Sequence, residues 1–328
     1  MNVKDALKRT LADADGGYIS GAALAETLGV SRNAVWKAVK ALEAEGYIIE
    51  SVTSKGYRLA EHSNRLSEEL ISAKLNAKVL GSCIKVYSEI DSTNNAAKEM
   101  ASAGAAHGTV IVADKQTGGR GRLGRTFESP AGTGIYMSVI IRPDFSLETS
   151  SMMTAAAAVA VAEAVESLSG CEVRIKWVND PYINGRKICG ILTEASLGME
   201  MRSLDHAIIG IGINVRSVKE VLSPELSGTA TSIEDETGLA LDRNALCAAV
   251  IDRLEHHLSR LEERTFLESY RKREFLTGHR ITANIGGRAV SGKALGIDDN
   301  ANLILETDTG EVLHLNSGEA NLCRISEQ

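Results

Sequence analysis

The stretch from Asp114 to Pro130, DKQTGGRGRLGRTFESP, restricts the fold of this chain more than any other segment. Its glycines and arginines lie within eight residues: Gly118, Gly119, Arg120, Gly121, Arg122, Gly124 and Arg125. Glycine permits positive φ angles and a close approach of the backbone. Arginine carries a delocalised positive charge that pairs with carboxylate or phosphate through two hydrogen bonds. The stretch therefore predicts an anion-binding loop, which we expect a ligand to order.

Gly119 to Gly124 also match the pattern G-x-G-x-x-G, which is typical of dinucleotide-binding Rossmann folds. In that motif a helix begins within the glycines, so that its N-terminus meets the pyrophosphate. Here Arg125 to Gly134 contains Pro130 and two more glycines and leads into a strand pattern, so no helix is predicted to begin. The chain also lacks the phosphate-binding pattern G-x-x-x-x-G-K-[ST]. The sequence therefore disfavours both nucleotide-binding folds.

The length of 328 residues predicts two or three domains. Hydrophobic residues make up 44% of the chain and charged residues 24%, which excludes collagen-like, disordered and coiled-coil classes. The longest apolar run, Ala155 to Ala162, is shorter than the roughly 20 residues that cross a bilayer, and the first residues contain no apolar stretch of a secretory signal. We therefore expect a cytoplasmic protein without a membrane partner. The five cysteines have no C-x-x-C spacing and are expected to be free thiols.

The N-terminal part differs in charge from the remainder of the chain. Residues 1–65 carry a net charge of +1, whereas residues 66–328 carry −8. Apolar residues at helical spacing predict three short helices in this part, with a turn at Gly29 and an N-cap at Ser31 before the third helix. Two extended runs, YIIESV and GYRLA, predict a hairpin. This order is typical of a winged helix-turn-helix.

The third predicted helix has an apolar face and a polar face. The polar face offers the residue types that contact phosphates and base edges in the major groove. Its DNA-binding candidates are Ser31, Arg32, Asn33, Trp36, Lys37 and Lys40. A small helical interaction module whose polar face is merely solvated is the alternative. One such unit covers one half-site, so specific operator binding would need a dimer.

Residues 60–67 lack periodicity and predict a linker, which places domains at residues 1–65, 66–278 and 279–328. The central domain mixes helices with strands, one of them predicted from Lys187 to Glu194. Short strands separated by turn signals in the last domain predict a small β-barrel. The predicted fold class is therefore α+β, with a winged helix-turn-helix, a central mixed α/β domain and a C-terminal barrel.

Three further clusters accompany the loop. The run Asp91 to Asn94, DSTN, lies at a predicted strand-to-helix junction that displays hydroxyls and backbone N–H groups, although an ordinary N-cap is the alternative. KWVNDP at 176–181 ends a strand, and GRKICG at 185–190 begins the next. Lys187 is thus expected to point into a site, although a surface lysine is the alternative. Gly210 to Asn214 places two glycines in a buried strand, which suggests close approach by a ligand.

In this order, the clusters resemble the bifunctional biotin protein ligase and biotin operon repressor family. The resemblance covers essentially the whole chain, and its most specific motifs are G-R-G-R-x-G at 119–124 and K-W-x-N-D at 176–180. It implies a class II synthetase-like central domain and an SH3-like C-terminal barrel. Two positions depart from the family pattern, since Val178 replaces the common proline and Phe127 the common tryptophan. The second departure is expected to weaken stacking on adenine without abolishing it.

The resemblance implies an enzyme that uses ATP to form biotinyl-5'-AMP and pyrophosphate. The enzyme then transfers biotin to a lysine of a biotin carboxyl carrier protein, such as that of acetyl-CoA carboxylase. Loaded with the adenylate, it would bind operator DNA as a homodimer and repress transcription. The implied catalytic residues are Lys187, Arg120 and Arg122. The implied biotin-binding residues are Ser92, Thr93, Asn94, Gln116, Arg120, Gly121, Arg122 and Lys187. The implied ATP- or adenylate-binding residues are Phe127, Lys176, Asn179 and Asn214.

The implied chemistry joins two anions, because the biotin carboxylate attacks the α-phosphorus of ATP. Cations at the reacting atoms and Mg²⁺ bound to ATP would supply most of the electrostatic stabilisation of the transition state. No dedicated metal site is expected, since ATP carries the Mg²⁺, and Asp180 is the one candidate ligand from the protein. None of the seven histidines lies in the clusters, which suits a mechanism without an obligatory histidine base.

Two alternatives come from other functional classes. The larger domain could belong to a repressor that only senses a small molecule, which the loop and the K-W-x-N-D motif disfavour. A lipoate or octanoate transferase of related fold is the second alternative. Its substrate has no ureido ring, so the polar set of Ser92, Thr93 and Gln116 would be unexplained.

Overall fold

The computed structural model describes residues 2–14, 16–44, 47–59, 65–143, 146–197 and 204–323. Within these ranges the chain forms an N-terminal helical unit, a central unit of helices around a sheet, and a C-terminal sheet. The α+β class is therefore confirmed. Among the described residues, no helix is long and apolar enough to cross a membrane.

The N-terminal unit has the three helices and the hairpin that the sequence predicts. These elements are α1 (Val3–Asp13), α2 (Gly21–Leu28), α3 (Arg32–Ala44), β1 (Ile49–Val52) and β2 (Gly56–Leu59). Gly29 ends α2 in the left-handed conformation with φ 63°, which glycine adopts without steric cost. The Ser31 hydroxyl then accepts the N–H of Ala34 at 3.2 Å and caps α3. This sharp turn packs α3 against α1 and α2 through buried Val35, Val39 and Leu42.

The central unit contains eight helices and eight strands among the described residues. The helices are α4 (Glu68–Lys74), α5 (Thr93–Ser102), α6 (Leu147–Ser150), α7 (Met153–Ser169), α8 (Pro224–Ser227), α9 (Ile233–Thr237), α10 (Arg243–Leu258) and α11 (Phe266–Arg273). The strands are β3 (Cys83–Tyr87), β4 (Thr109–Ala113), β5 (Gly134–Ile141), β6 (Arg174–Lys176), β7 (Asp180–Ile183), β8 (Arg186–Lys187), β9 (Cys189–Leu197) and β10 (Leu204–Asn214).

The central strands of the main sheet, β4, β5 and most of β10, are buried on both faces. The strand order of this sheet is β3-β4-β5-β10-β9, with β3 parallel to β4 and the other neighbours antiparallel. Helix α5 covers one face, where Ala97 and Ala101 pack with Ile140 and Ile208. Alternate residues such as Ile209 face the other way and join the core that includes the alanine-rich helix α7. The loops that leave the sheet next to α5 are therefore anchored on a well-packed core.

The strand predicted from Lys187 to Glu194 is divided in the structure. Lys187 ends the two-residue strand β8, which forms a hairpin with β7 and belongs to a small sheet of β6, β7 and β8. The chain then turns at the buried residue Ile188 and continues as β9 in the main sheet. The predicted continuous strand is therefore wrong, but the hairpin still presents Lys187 beside the main sheet.

The C-terminal strands are β11 (Arg280–Ile285), β12 (Arg288–Ile297), β13 (Leu303–Thr307), β14 (Val312–Leu315) and β15 (Glu319–Leu322). They form an antiparallel sheet in the order β14-β13-β12-β11-β15. Within the described residues β14 and β15 are edge strands that do not pair with each other, so the predicted closed barrel is not confirmed. The sheet packs on the central unit, where the Trp177 indole N–H donates to the carbonyl of Ala301 at 3.1 Å.

The predicted linker at 60–67 lies only partly in the described chain, because residues 60–64 are outside it. Its last residues are not a free linker. Ser67 caps α4 and donates its N–H to Asn244 Oδ1 at 3.0 Å, while Asn244 Nδ2 donates to the carbonyl of Arg65 at 2.9 Å. Leu70 of α4 is buried against the N-terminal core. Helix α4 therefore joins the two units by direct packing.

Candidate functional site

A cavity of about 340 Å³, which we name the main cavity, lies in the central unit. Its walls are the start of α5, the glycine- and arginine-rich loop, the hairpin of β7 and β8, parts of β9 and β10, and Gly318 to Asn321 of the C-terminal sheet. The residues that the sequence assigns to a small-molecule site all line it. They are Ser92, Thr93, Asn94, Gln116, Arg120, Gly121, Arg122, Phe127, Lys176, Asn179, Asp180, Lys187 and Asn214. The structure thus brings them together, and their individual roles stay predictions.

A hydrogen-bonded wall of the main cavity begins at the first turn of α5. Gln116 Oε1 accepts the Thr93 N–H at 2.8 Å and the Thr93 hydroxyl at 3.1 Å, and Gln116 Nε2 donates to Ser129 Oγ at 2.9 Å. Ser92 is 2% exposed and occupies the N-cap position, yet its hydroxyl makes no cap hydrogen bond. Ser92 therefore takes the N-cap position without the usual capping hydrogen bond, and the role of its hydroxyl in ligand binding stays a prediction.

Residues of three neighbouring strands hold the Asn94 side chain in place. Its Oδ1 accepts the Ser138 hydroxyl from β5 at 2.6 Å, and its Nδ2 donates to Glu194 Oε2 from β9 at 2.7 Å. Gly210 of β10 lies between them, and a Cβ at Gly210 would lie 2.1 Å from Asn94 Oδ1. A protein side chain therefore makes a close approach at this glycine, which also lines the main cavity, and the approach of a ligand there stays a prediction.

Replacing Gly210 by alanine is expected to lower the free energy of unfolding by about 1–3 kcal/mol. The new methyl would displace the Asn94 amide and leave buried hydrogen-bonding groups without partners, which costs an amount of this order. Urea denaturation measures the loss. Gly228→Ala is the matched control, because its Cβ would meet no atom within 4 Å and its φ of −79° suits alanine. Equal stability losses in the two variants would contradict the close packing of Asn94 against Gly210.

The arginines of the glycine-rich loop all have protein partners. Arg120 donates to Asn95 Oδ1 and lies 3.9 Å from the Glu194 carboxylate. Arg122 bridges two units, since it donates to Asn179 Oδ1 and to the carbonyl of Gly318, each at 2.8 Å. Arg125 forms a two-pronged ion pair with Glu319 at 2.9 and 2.7 Å. The predicted anion-binding loop thus presents concentrated positive charge that neutral or acidic protein groups hold in place.

Two lysines face the main cavity from the small sheet. Lys187 Nζ lies 2.7 Å from Asp180 Oδ1 across the hairpin, and Lys176 Nζ donates to Asn321 Oδ1 at 2.6 Å. Burial disfavours the charged amine and lowers the pKa of Lys176 below its usual range, although Asp180 opposes this effect. Lys187 lines the main cavity, as expected, and its side chain is 32% exposed, so its role in the site stays a prediction. The peptide bond between Trp177 and Val178 is cis.

Phe127 lies across two glycines of the main sheet. A Cβ at Gly212 would lie 2.5 Å from the Phe127 ring, and one at Gly190 would lie 3.2 Å from it. The ring also meets Tyr136 edge-on, with 6.3 Å between the ring centroids. As at Gly210, a side chain of the protein makes a close approach at Gly212. The glycines therefore make room for an aromatic platform in the cavity wall.

Sequence reasoning missed several residues of the site. Ser138 and Glu194 lie on strands far along the chain from α5, and Gly318 to Asn321 come from the C-terminal sheet. One signal was present, since Ser138 is a polar residue in the alternating apolar pattern of β5. The described residues contain no group of three or more histidine, cysteine, aspartate or glutamate side chains that could hold a metal ion.

A second candidate site lies on α3, away from the main cavity. All of the residues predicted to contact DNA are exposed there: Ser31, Arg32, Asn33, Trp36, Lys37 and Lys40. Trp36 is 50% exposed, which is unusual for so large an apolar side chain. Lys40 forms an ion pair with Glu43 at 2.6 Å. The exposed face of α3 therefore has the shape and donors expected of a helix that enters the major groove.

Three family models match separate parts of this chain. The HTH domain model matches residues 4–58. The Biotin/lipoate A/B protein ligase family model matches residues 86–214, and the model of the Biotin protein ligase C terminal domain matches residues 277–322. Together they cover the three units of the structure.

Relatives of known name match most of the chain. It is 40% identical over 301 residues to the bifunctional ligase/repressor BirA of Bacillus spizizenii. The matched region covers 89% of this chain and 90% of that protein. It is 32% identical over 302 residues to the protein of the same name from Escherichia coli, with 90% of each chain covered. Among solved structures, the biotin protein ligase from Aquifex aeolicus in complex with biotin and ATP matches with a TM-score of 0.63 and 28% identity. That match covers 74% of this chain and 99% of that one.

Proposed function

This chain belongs to the family of bifunctional biotin ligase/repressors, and from this membership we propose that it biotinylates a carrier protein and regulates transcription. The biotin carboxylate attacks the α-phosphorus of ATP, which gives biotinyl-5'-AMP and releases pyrophosphate. The ε-amine of a carrier lysine, in a biotin carboxyl carrier protein, then attacks the acyl carbon and AMP leaves. In both steps charge at the reacting atoms decides the rate.

One observation carries the ligase half of the proposal. The main cavity joins a wall of uncharged hydrogen-bonding groups to a cluster of cations, with Lys187, Arg120 and Arg122 among them. Biotin needs both regions, because its ureido ring requires donors and acceptors while its carboxylate requires a cation. We assign the ureido ring to Ser92, Thr93 and Gln116. The other biotin contacts are assigned to Asn94 and Gly121 and to the three cations.

The nucleotide takes the remaining part of the main cavity. We assign the adenylate to Phe127, Lys176, Asn179 and Asn214, which all line the main cavity. Asn179 orients Arg122, since it accepts a hydrogen bond from the guanidinium at 2.8 Å. Phe127 offers a smaller face than tryptophan for stacking on adenine, which supports binding that is weaker but not lost.

Mg²⁺ is proposed to enter with ATP rather than to occupy a site of its own. Asp180 is the candidate ligand from the protein, but it already forms an ion pair with Lys187. Mg²⁺ is usually held by one or two carboxylates together with substrate phosphates and water, which supports entry of the metal with ATP. ATP and Mg²⁺ remain the proposed cofactors, with biotin as the second substrate.

The repressor half of the proposal rests on the exposed face of α3 and the match to the HTH domain model. We propose that the chain binds operator DNA as a homodimer when it carries the adenylate. The proposed domains are a winged helix-turn-helix at 1–65, a class II synthetase-like catalytic domain at 66–278 and an SH3-like barrel at 279–328. The family models at 4–58, 86–214 and 277–322 support this division. The cytoplasmic location and the lack of a membrane partner stay predictions.

Biotin-dependent exchange of labelled pyrophosphate into ATP tests the ligase half with the full chain. Exchange should require biotin, and labelled biotin should then appear on a carrier protein. A chain that binds biotin without exchange or transfer would contradict the proposed enzyme and favour a repressor that only senses its ligand. Strong competition by free lipoate would instead favour the lipoate or octanoate transferase alternative.

Analytical ultracentrifugation tests the repressor half. The adenylate-bound chain is expected to sediment as a dimer at concentrations where the ligand-free chain is a monomer, because ligand binding orders the loop and completes the dimer surface. Equal sedimentation of the two forms, at concentrations that span the dimer equilibrium, would contradict the role of the adenylate as a corepressor.

A further inference from the structure

Glu194 connects three parts of the site without lining the main cavity itself. Its carboxylate on β9 accepts hydrogen bonds from Asn94 Nδ2 at 2.7 Å and from Lys98 Nζ at 2.6 Å, both on α5. The guanidinium of Arg120 in the glycine-rich loop lies 3.9 Å from the same carboxylate. No motif of the sequence points to this residue, and the assigned chemistry does not use it.

The orientation of the Asn94 amide depends on Glu194. Asn94 is 5% exposed and lines the main cavity, so the face that its amide presents is fixed by its hydrogen-bond partners Ser138 and Glu194. Ser138 does not decide that orientation, because a hydroxyl can donate to an amide oxygen or accept from an amide nitrogen. An ionised carboxylate can only accept, so Glu194 forces the Nδ2 group of Asn94 to face it.

The consequence is a defined donor at the cavity. Nδ2 carries two N–H groups, and within the described chain its one hydrogen bond goes to Glu194. The other N–H makes no hydrogen bond to the described residues, and we assign it to a ligand in the main cavity. If the amide flipped, Oδ1 would take the place of Nδ2 and an acceptor would replace that donor. The orientation of Asn94 thus decides whether a ligand carbonyl or carboxylate oxygen at this point meets a donor or an acceptor.

The surroundings of Glu194 keep it ionised. Burial raises the pKa of this carboxyl, but the hydrogen bonds from Lys98 and Asn94 outweigh burial and hold the pKa below its usual range. The nearby guanidinium of Arg120 acts in the same direction. The carboxylate therefore remains an acceptor-only group under ordinary conditions.

We propose that Glu194 is a positioning residue for biotin binding, which orients the Asn94 amide so that it donates to the ligand. The inference rests on the proposed function, since biotin is the ligand it concerns. It predicts a specific defect in biotin affinity rather than a general loss of activity.

Glu194→Gln in the full chain tests the proposal, because glutamine keeps the shape but can donate as well as accept. We expect the KM for biotin in pyrophosphate exchange to rise about tenfold, while kcat and the KM for ATP stay within about twofold, as expected when a contact made equally in the ground state and the transition state is lost. Glu194→Asp keeps the acceptor-only carboxylate and should raise the KM for biotin no more than about threefold. Glu172→Gln is the control, since it removes a carboxylate that pairs with Arg174 at 3.3 Å and does not line the main cavity.

A double-mutant cycle separates positioning from a merely structural role. If Glu194 acts through Asn94, Glu194→Gln should add little to the KM change caused by Asn94→Ala, whereas independent effects would multiply. An unchanged KM for biotin in an active, folded Glu194→Gln variant would overturn the inference and leave the proposed function intact. An aspartate variant as defective as the glutamine variant would also overturn it. An unmodified chain without biotin-dependent exchange would overturn the proposed function together with this inference.

Discussion

Replacing Lys187 by alanine is expected to slow biotin-dependent pyrophosphate exchange by about 100- to 1,000-fold, the usual cost of losing one preorganised charge at a reacting centre. Lys187 Nζ lies 2.7 Å from Asp180 Oδ1, so the variant loses a cation and keeps the neighbouring anion. The remaining carboxylate would repel both the biotin carboxylate and the α-phosphate. Because both effects disfavour the meeting of two anions, kcat should fall more than substrate affinity.

Stability should change little in the Lys187→Ala variant. The Lys187 side chain is 32% exposed, and ion pairs at partly exposed positions contribute little to the stability of the fold. Thermal melting checks that the fold is intact. Lys85→Ala is the control, because Lys85 is exposed on β3 and does not line the main cavity. Exchange at a near-normal rate in Lys187→Ala would contradict the catalytic assignment of this lysine.

The parts of the site that could be predicted from sequence are those in which neighbours along the chain also meet in space. The start of α5 and the hairpin of β7 and β8 are short local structures, set by a cap or a turn. The run Asp91 to Asn94 and the motif at 176–180 could therefore be placed at one site before the fold was known. The turn at Gly29 and the cap at Ser31 made α3 predictable for the same reason.

The residues that could not be predicted meet only through the register of the sheet. Gly210 lies opposite Ser138 on one side and opposite Leu192 on the other, which places Glu194 of β9 near Asn94. Nothing in the local sequence of β9 or β10 specifies those pairings. The same limit explains the glycines of β10, whose small size indicated a close approach but not the identity of the approaching group.

The C-terminal contribution was missed because it comes from another unit. Gly318 and Glu319 hold Arg122 and Arg125 of the glycine-rich loop, at the far end of the chain. Sequence patterns predicted strands in this region and nothing about which of their residues would face the main cavity. Sequence patterns also could not show that β14 and β15 do not pair within the described residues, because pairing between strands that are distant in the chain leaves no local signal.

The double variant Arg32→Ala/Lys37→Ala is expected to weaken operator binding about a thousandfold or more at physiological salt, since each lost contact of these types costs about 1–3 kcal/mol and a dimer loses each of the two contacts twice. Both side chains are exposed on α3 and neither lines the main cavity, so folding and pyrophosphate exchange should be unchanged. The probe is a duplex that the unmodified, adenylate-bound protein selects from a random-sequence pool, and its binding is measured by titration.

The dependence of binding on salt identifies what these two side chains contact. Each phosphate contact removed should reduce the slope of log K against log salt concentration by about 0.9, so the double variant should lose about 1.8 per protomer if both contact phosphates. A weaker affinity with an unchanged slope would indicate contacts to base edges instead. Lys85→Ala/Lys272→Ala removes the same charge from exposed positions outside α3 and should leave affinity and slope unchanged. If this control loses affinity as strongly as the α3 variant, the whole surface field rather than α3 attracts the DNA.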